Sequence, residues 1–207
     1  MAESEVDLVQ HPFLQAVVNS LQNMDKNFVT LSRLRWGAID DKVLIRELVA
    51  RNIQERPFAY EFYHQMRKLW DGDQASTLGL DKLAIQAEVN KSYQDIPKLR
   101  KMPDFLVHRV NSPDEGDQFA VFEFKVASRL QDIEDDLRKL INFQHLLKYS
   151  YGIEVIIGPS GPLKKIPAIL DQIDEVNCWP GSSYNLIIVY FSIDSWTATV
   201  KQREYTL

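Results

Sequence analysis

The sequence predicts an α/β domain with a central mixed sheet. Strand-like stretches, rich in β-branched and aromatic residues, alternate with stretches whose apolar residues recur at helical spacing. The order along the chain is helices, three strands, a helix, a strand, a helix and two strands, which is typical of this class. A length of 207 residues, with 45% hydrophobic and 26% charged residues, suits one such domain, or one such domain with an added piece.

The start of the chain predicts an N-terminal helical segment. Within residues 6–36, apolar residues recur at helical spacing on both sides of a polar break, which predicts two helices. A further helix is expected over residues 42–54, because Asp40 and Asp41 stand where acidic groups stabilise a helix N-terminus. We expect this segment, residues 1–56, to pack against the core or against a second subunit in a homodimer.

The next helix is predicted over residues 57–70. Pro57 suits the first turn of a helix, where its missing N–H is not needed. The apolar side chains that follow it form one stripe: Phe58, Phe62, Met66 and Leu69. Glu61 lies at the edge of that stripe.

Three strands follow this helix. Residues 83–89 predict the first strand, and residues 102–108 and 119–126 predict a hairpin whose loop is dense in turn-forming residues.

Charged side chains share one face of the second hairpin strand. Because side chains alternate along a strand, Glu123 and Lys125 lie on the same face as Phe119 and Val121. Asp104 opens the preceding strand, and antiparallel pairing brings it beside Glu123. Two converging carboxylates repel each other unless a proton or a cation lies between them. A divalent metal ion is the simplest occupant, with Lys125 beside it.

The second half of the chain predicts a crossover and a closing pair of strands. A helix is expected from a cap at Ser128 to a stop at Gly152. Its solvent-facing side is predicted to carry four acids: Asp132, Glu134, Asp135 and Asp136. A buried strand, a helix and two final strands follow in that order: residues 153–158, 163–176, 184–191 and 196–201.

Composition excludes several classes of protein. No apolar run approaches the ~18 residues of a membrane span, and the acidic N-terminus does not resemble a signal peptide, so we expect a cytoplasmic protein with no membrane partner. Cys178 is the single cysteine, which excludes an internal disulfide and a cysteine-rich zinc site. A net charge of −5 argues against a protein that coats nucleic acid, although not against a nuclease with a local basic rim.

The hairpin carries a resemblance to a known family. Pro103-Asp104, a gap, and Glu123-Phe124-Lys125 resemble the signature of the PD-(D/E)XK nuclease superfamily. The resemblance covers residues 57–158 and implies a restriction-endonuclease-like αβββαβ core within a domain of residues 57–207.

The resemblance also implies a metal site. Asp104, Glu123 and the backbone carbonyl of Phe124 would bind Mg²⁺ or Mn²⁺, and Lys125 would assist the attacking water. The family places a further Glu on the helix before the strands. Glu61 is our choice for it and Glu47 the second candidate, while a surface pair of Glu61 with Arg67 or Lys68 is the alternative.

The connection before Asp104 offers a further acid and a basic rim. Glu88 is either another metal ligand or a partner of Lys91 or Lys101. Four basic residues would contact a phosphate backbone or else be simply solvated: Lys91, Lys98, Arg100 and Lys101.

The function expected from the resemblance is hydrolysis of phosphodiester bonds in nucleic acid, with DNA as the favoured substrate. Two alternatives stay open. In the first, the domain has the nuclease fold but acts as a non-cleaving binding or assembly module. In the second, Asp104, Glu123 and Lys125 are a structural ion-pair cluster.

Overall fold

A mixed seven-stranded sheet organises the molecule, as the predicted α/β class requires. The computed structural model describes residues 3–29, 55–87, 102–110, 112, 117–126, 133–176 and 184–205. Within these ranges, no helix has the length and apolar character needed to cross a membrane.

The strands are β1 (Glu3–Glu5), β2 (Ala84–Ala87), β3 (Phe105–His108), β4 (Gln118–Val126), β5 (Tyr151–Gly158), β6 (Tyr184–Ser192) and β7 (Thr197–Tyr205). The helices are α1 (Pro12–Gln22), α2 (Lys26–Val29), α3 (Glu55–Asp71), α4 (Gln74–Thr77), α5 (Ile133–Leu147), α6 (Ser160–Leu163) and α7 (Ile166–Val176). The strands lie in the order β1-β7-β6-β5-β4-β3-β2.

The centre of the sheet is parallel and its margins are antiparallel. β2, β3 and β4 form an antiparallel meander, and α5 then carries the chain across to β5, which pairs with β4 in parallel. β6 continues the parallel part, and β7 and β1 pair antiparallel beyond it. The predicted hairpin, crossover and closing strand pair are therefore confirmed.

The two faces of the sheet bury separate apolar layers. One face packs against α1 and α3, where Phe58 and Phe62 contact Phe124 of β4. The other packs against α5 and α7, where Val121 and Ile156 lie among the helices' apolar side chains. Strand alternation thus assigns Glu123 and Lys125 to the α5 face.

Phe119 is an exception to this alternation. Val107 pairs with Ala120 and His108 pairs with Gln118, so Phe119 is an extra residue on the bulged strand. Its ring contacts Phe13 of α1, with a centroid distance of 4.8 Å, and the prediction that it shares the face of Glu123 is wrong.

The crossover helix ends earlier than predicted. It stops at Leu147, after which Lys148 takes the left-handed conformation at φ 59° and the Tyr149 N–H donates to the Phe143 carbonyl. A residue in the left-handed conformation commonly ends a helix, and here that residue is a lysine and not a glycine. Gly152 instead lies inside β5, so its predicted role as a stop is wrong.

Two other boundaries differ from prediction. The helix predicted over residues 163–176 is divided into α6 and α7, because Pro167 lacks an N–H and cannot continue the preceding turn. β1 carries the sequence Glu-Ser-Glu, which has no strand signal, and pairing with β7 sets its conformation.

Several predicted features lie outside the described residues. These are the helix over residues 42–54, the Ser128 cap and Asp132.

Gly152 offers a test of the packing between β5, β6 and α5. A Cβ placed there would lie 2.6 Å from Leu186 Cδ2 and 3.3 Å from the Gln144 side chain. We expect Gly152→Ala to lower the free energy of unfolding by about 1–3 kcal/mol, because Leu186 is fully buried and has little room to move.

Gly161→Ala is the matched control for Gly152→Ala. A Cβ at Gly161 meets nothing within 4 Å, so this variant should unfold close to wild type in a denaturant titration. Equal losses in the two variants would contradict the packing described for Gly152.

Candidate functional site

Three carboxylates lie in a row across three adjacent strands, and we call Asp104, Glu123 and Glu154 the carboxylate row. Glu123 of β4 pairs directly with Glu154 of β5. Asp104 directly precedes β3, whose register places it beside Glu123, and its Oδ2 accepts a 2.9 Å hydrogen bond from the Phe124 N–H. The backbone of the Glu-Phe-Lys segment therefore anchors the aspartate.

Lys125 lies on the same face, two residues beyond Glu123. Its Nζ is 2.7 Å from Asp136 Oδ2 on α5 and 3.6 Å from Glu55 Oε2 at the start of α3. The lysine is largely buried, and these carboxylates compensate its charge.

Helix α5 contributes a second lysine. Lys139 Nζ lies 2.7 Å from Glu123 Oε2 and 2.8 Å from Asp136 Oδ1. Asp136 therefore bridges both ammonium groups, one through each oxygen. The Lys139 side chain keeps 19% of its surface exposed, and Asp104 is half-buried, so this side of the site is reachable from solvent.

The inner end of the row lacks compensation. Glu154 is 0% exposed and Glu123 is 2% exposed. Among the described residues, no hydrogen-bond donor reaches Oε1 of Glu123 or either oxygen of Glu154. Buried carboxylate oxygens that lack a hydrogen-bond donor are costly when the group is ionised.

The electrostatics of the site follow from this burial. Burial raises the pKa of Glu123 well above its ordinary value, and the charge of Asp104 adds to the effect while Lys139 opposes it. Burial likewise raises the pKa of Glu154 well above its ordinary value, helped by Asp136 and Glu123. The pKa of Asp104 is raised by burial against its bond to the Phe124 N–H.

For the two lysines, the neighbouring carboxylates outweigh the effect of burial on the pKa. Burial alone would lower the pKa of Lys125, but the hydrogen bond and charge of Asp136 outweigh it, so this pKa is raised. The pKa of Lys139 is also raised, because Glu123 and Asp136 outweigh its burial. Both side chains are therefore ammonium ions at neutral pH.

The structure brings together the predicted residues Asp104, Glu123 and Lys125, and it places Glu61 elsewhere. Glu61 Oε1 accepts hydrogen bonds from Gln65 Nε2 at 2.6 Å and from the Asp25 N–H at 3.2 Å. Its carboxylate is thus occupied in the layer of α2 and α3, away from the α5 face.

The alternative prediction, a surface pair of Glu61 with Arg67 or Lys68, is not observed either. Arg67 pairs with Asp71, and Lys68 donates to Gln65. The acid of α3 that does approach the site is Glu55, one and a half turns before Glu61, because the helix begins before Pro57.

The remaining predicted site residues lie outside the described part of the chain. They are the acids Glu47 and Glu88 and the basic residues Lys91, Lys98, Arg100 and Lys101.

Sequence reasoning missed Asp136, Lys139 and Glu154. Asp136 was expected on the solvent-facing side of its helix, yet it is three residues after Ile133 and four before Leu140, within the buried stripe. Glu154 interrupts an otherwise apolar parallel strand. A charge inside an apolar pattern is the signal that could have revealed both residues.

The raised pKa values predict how stability depends on pH in the metal-free protein. A carboxyl whose pKa is raised on folding stabilises the fold below its unfolded pKa, and this contribution is lost as pH rises through the folded pKa. We expect the free energy of unfolding of wild type to fall as pH rises above about 4.3, the ordinary pKa of a glutamate, and to fall less in Glu154→Gln. Denaturant titrations across this range, without metal, measure it. Parallel curves for the two proteins would contradict the assignment.

Neither a model of a protein family nor a curated protein nor a solved structure matches this chain. Assigning a function to it therefore depends on the geometry of the carboxylate row and its lysines.

Proposed function

We propose that this protein is a metal-dependent nuclease that hydrolyses phosphodiester bonds in nucleic acid, with DNA as the favoured substrate. The observation that carries the proposal is the excess of carboxyl groups over ammonium groups around Lys125. Among the described residues, the carboxylates at this site outnumber its ammonium groups: Asp104, Glu123, Glu154, Asp136 and Glu55 stand against Lys125 and Lys139. A divalent cation would balance that charge.

The donor set fits Mg²⁺ or Mn²⁺ held mainly by water and substrate. In the part of the chain that the structure describes, no three acid, histidine or cysteine side chains form a ready-made metal site. Mg²⁺ is usually bound through one or two carboxylates, waters and substrate phosphates, so Asp104 and Glu123 with the Phe124 carbonyl would suffice. Such an ion, when bound, lowers the pKa of a coordinated water and offsets charge on the phosphate.

The chain's own residues would position the reactants. Asp136 and Glu55 hold the Lys125 ammonium on the face of Glu123, where it would orient the attacking water and offset charge on the phosphorus centre. Lys139 fixes Glu123 through Oε2, which leaves Oε1 for the ion. Asp104 is held ready by the Phe124 N–H.

The topology supports the proposal. Helix α3, the meander β2-β3-β4, the crossover α5 and strand β5 follow one another in the αβββαβ order that the resemblance implies. The Asp and the Glu-Phe-Lys segment lie on adjacent strands of that meander.

One observation favours a second candidate. The Lys125 ammonium is already paired with Asp136 and Glu55, and it would be equally well paired in a non-cleaving nucleic-acid-binding or assembly module of the same fold. Cleavage assays separate the two candidates.

Substitutions in the signature test the nuclease directly. We expect Asp104→Asn and Lys125→Met to lower Mg²⁺-dependent cleavage of a DNA and RNA panel by at least about 100-fold, because they remove a metal ligand and the water-orienting amine. EDTA should abolish the wild-type activity. Circular dichroism checks that each variant is folded.

Glu61→Gln is the control for these variants. It alters a buried carboxylate in the other layer and should leave cleavage within about threefold of wild type. Cleavage that persists in folded Asp104→Asn, or wild-type protein that cuts no member of the panel with Mg²⁺ or Mn²⁺, would contradict the proposal.

Asp136 should be required for the rate through its hold on Lys125. We expect Asp136→Asn to lower kcat by about 10–100-fold, the usual effect of removing a residue that orients a catalytic group. Glu134→Gln, which alters a solvent-exposed acid paired with Arg138 on the same helix, should leave kcat unchanged. Equal rates for Asp136→Asn and wild type would show that Lys125 is placed without it.

A further inference from the structure

Glu154 has no counterpart in the signature of the resemblance, yet it belongs to the same cluster. It pairs in register with Glu123 on the neighbouring parallel strand. Ile153 and Val155 on either side of it lie in the α1 and α3 layer, so Glu154 faces the α5 layer, as Glu123 does. The carboxylate row therefore continues one strand beyond the expected pair.

Lys125 and Lys139 act on Glu154 only through longer-range electrostatics, and among the described residues no donor contacts its carboxyl group. Glu154 is 0% exposed, and neither of its oxygens has a hydrogen-bond donor among the described residues. One oxygen of the neighbouring glutamate, Glu123 Oε1, also has no hydrogen-bond donor among the described residues. Three unpartnered carboxylate oxygens thus lie on two adjacent strands, which stand ~4.8 Å apart in a sheet.

The nearby ammonium groups are engaged by other acids. Lys125 contacts Asp136 and Glu55, and Lys139 contacts Asp136 and the other oxygen of Glu123. Among the described residues, no cation contacts Glu154 directly. A hard divalent cation is the species that binds several carboxylate oxygens at once.

We propose that Glu154 is an additional oxygen ligand of the divalent cation site, so that a bound ion draws together carboxylates from three adjacent strands, which form no ready-made three-ligand site without it. The inference rests on the proposed metal-dependent function and extends it to a residue that the signature does not contain. Glu154 supplies the inner side of the site, and Asp104 supplies the side open to solvent and substrate.

Calorimetric titration of the full chain with Mn²⁺, and with Mg²⁺ in competition, tests this inference without measuring cleavage. We expect Glu154→Gln to weaken Mn²⁺ binding by at least about tenfold, because the amide keeps the size of the side chain and removes its charge. Glu154→Asp, which keeps the charge but withdraws the oxygens, should weaken binding as well. Glu61→Gln, a buried acid in the other layer, should bind like wild type.

The outcomes separate this inference from the proposed function. If Asp104→Asn loses Mn²⁺ binding while folded Glu154→Gln and Glu154→Asp bind like wild type, Glu154 is a buried neutral acid, and the inference alone is overturned. If wild type itself binds neither ion, the metal-dependent function and the inference both fall. Weaker binding in both Glu154 variants, with Glu61→Gln unchanged, supports the inference.

Discussion

The site depends on one buried ionic network that joins the sheet to helix α5. Asp136 bridges Lys125 and Lys139, and Lys139 in turn contacts Glu123. Removing one partner of such a network leaves an uncompensated buried charge, which costs about 3–5 kcal/mol. This is a large part of the free energy of unfolding of many domains. Helix α5 is therefore fixed in register over the strands, and the two lysines are fixed relative to the carboxylates.

The sheet explains why these groups meet. A meander places Asp104 beside Glu123, and the crossover that follows β4 packs α5 on the face that carries Glu123 and sets β5 beside β4 in the sheet. The apolar layer of α5 surrounds the network, so its charges interact in a medium of low polarity. The opposite layer, rich in phenylalanine, packs the strands against α3, and among the described residues of α1 and α3 only Glu55 reaches the site.

The part of the site that strand alternation controls could be predicted from the sequence, and the part that tertiary packing controls could not. Period-two alternation is local, so it correctly predicts that Glu123 and Lys125 share a face, and the hairpin connection correctly predicts that Asp104 lies beside Glu123. Which face a helix presents depends on what it packs against, so Asp136 was assigned to solvent and Glu61 to the metal. The left-handed Lys148 shows the same limit, because a lysine gives no sequence signal for a helix end. Glu154 was missed because its position beside Glu123 depends on the pairing of two strands that a helix separates in sequence.

The claim that matters most is that this face of the sheet holds a divalent cation between Asp104 and Glu123. Crystals grown with Mn²⁺ and measured near the manganese absorption edge locate such an ion directly. The account predicts an anomalous peak ~2.1 Å from oxygens of both carboxylates, on the side where Glu123 Oε1 has no donor among the described residues. Well-ordered crystals at saturating Mn²⁺ that show no peak there, with Lys139 still bound to Glu123, would contradict it.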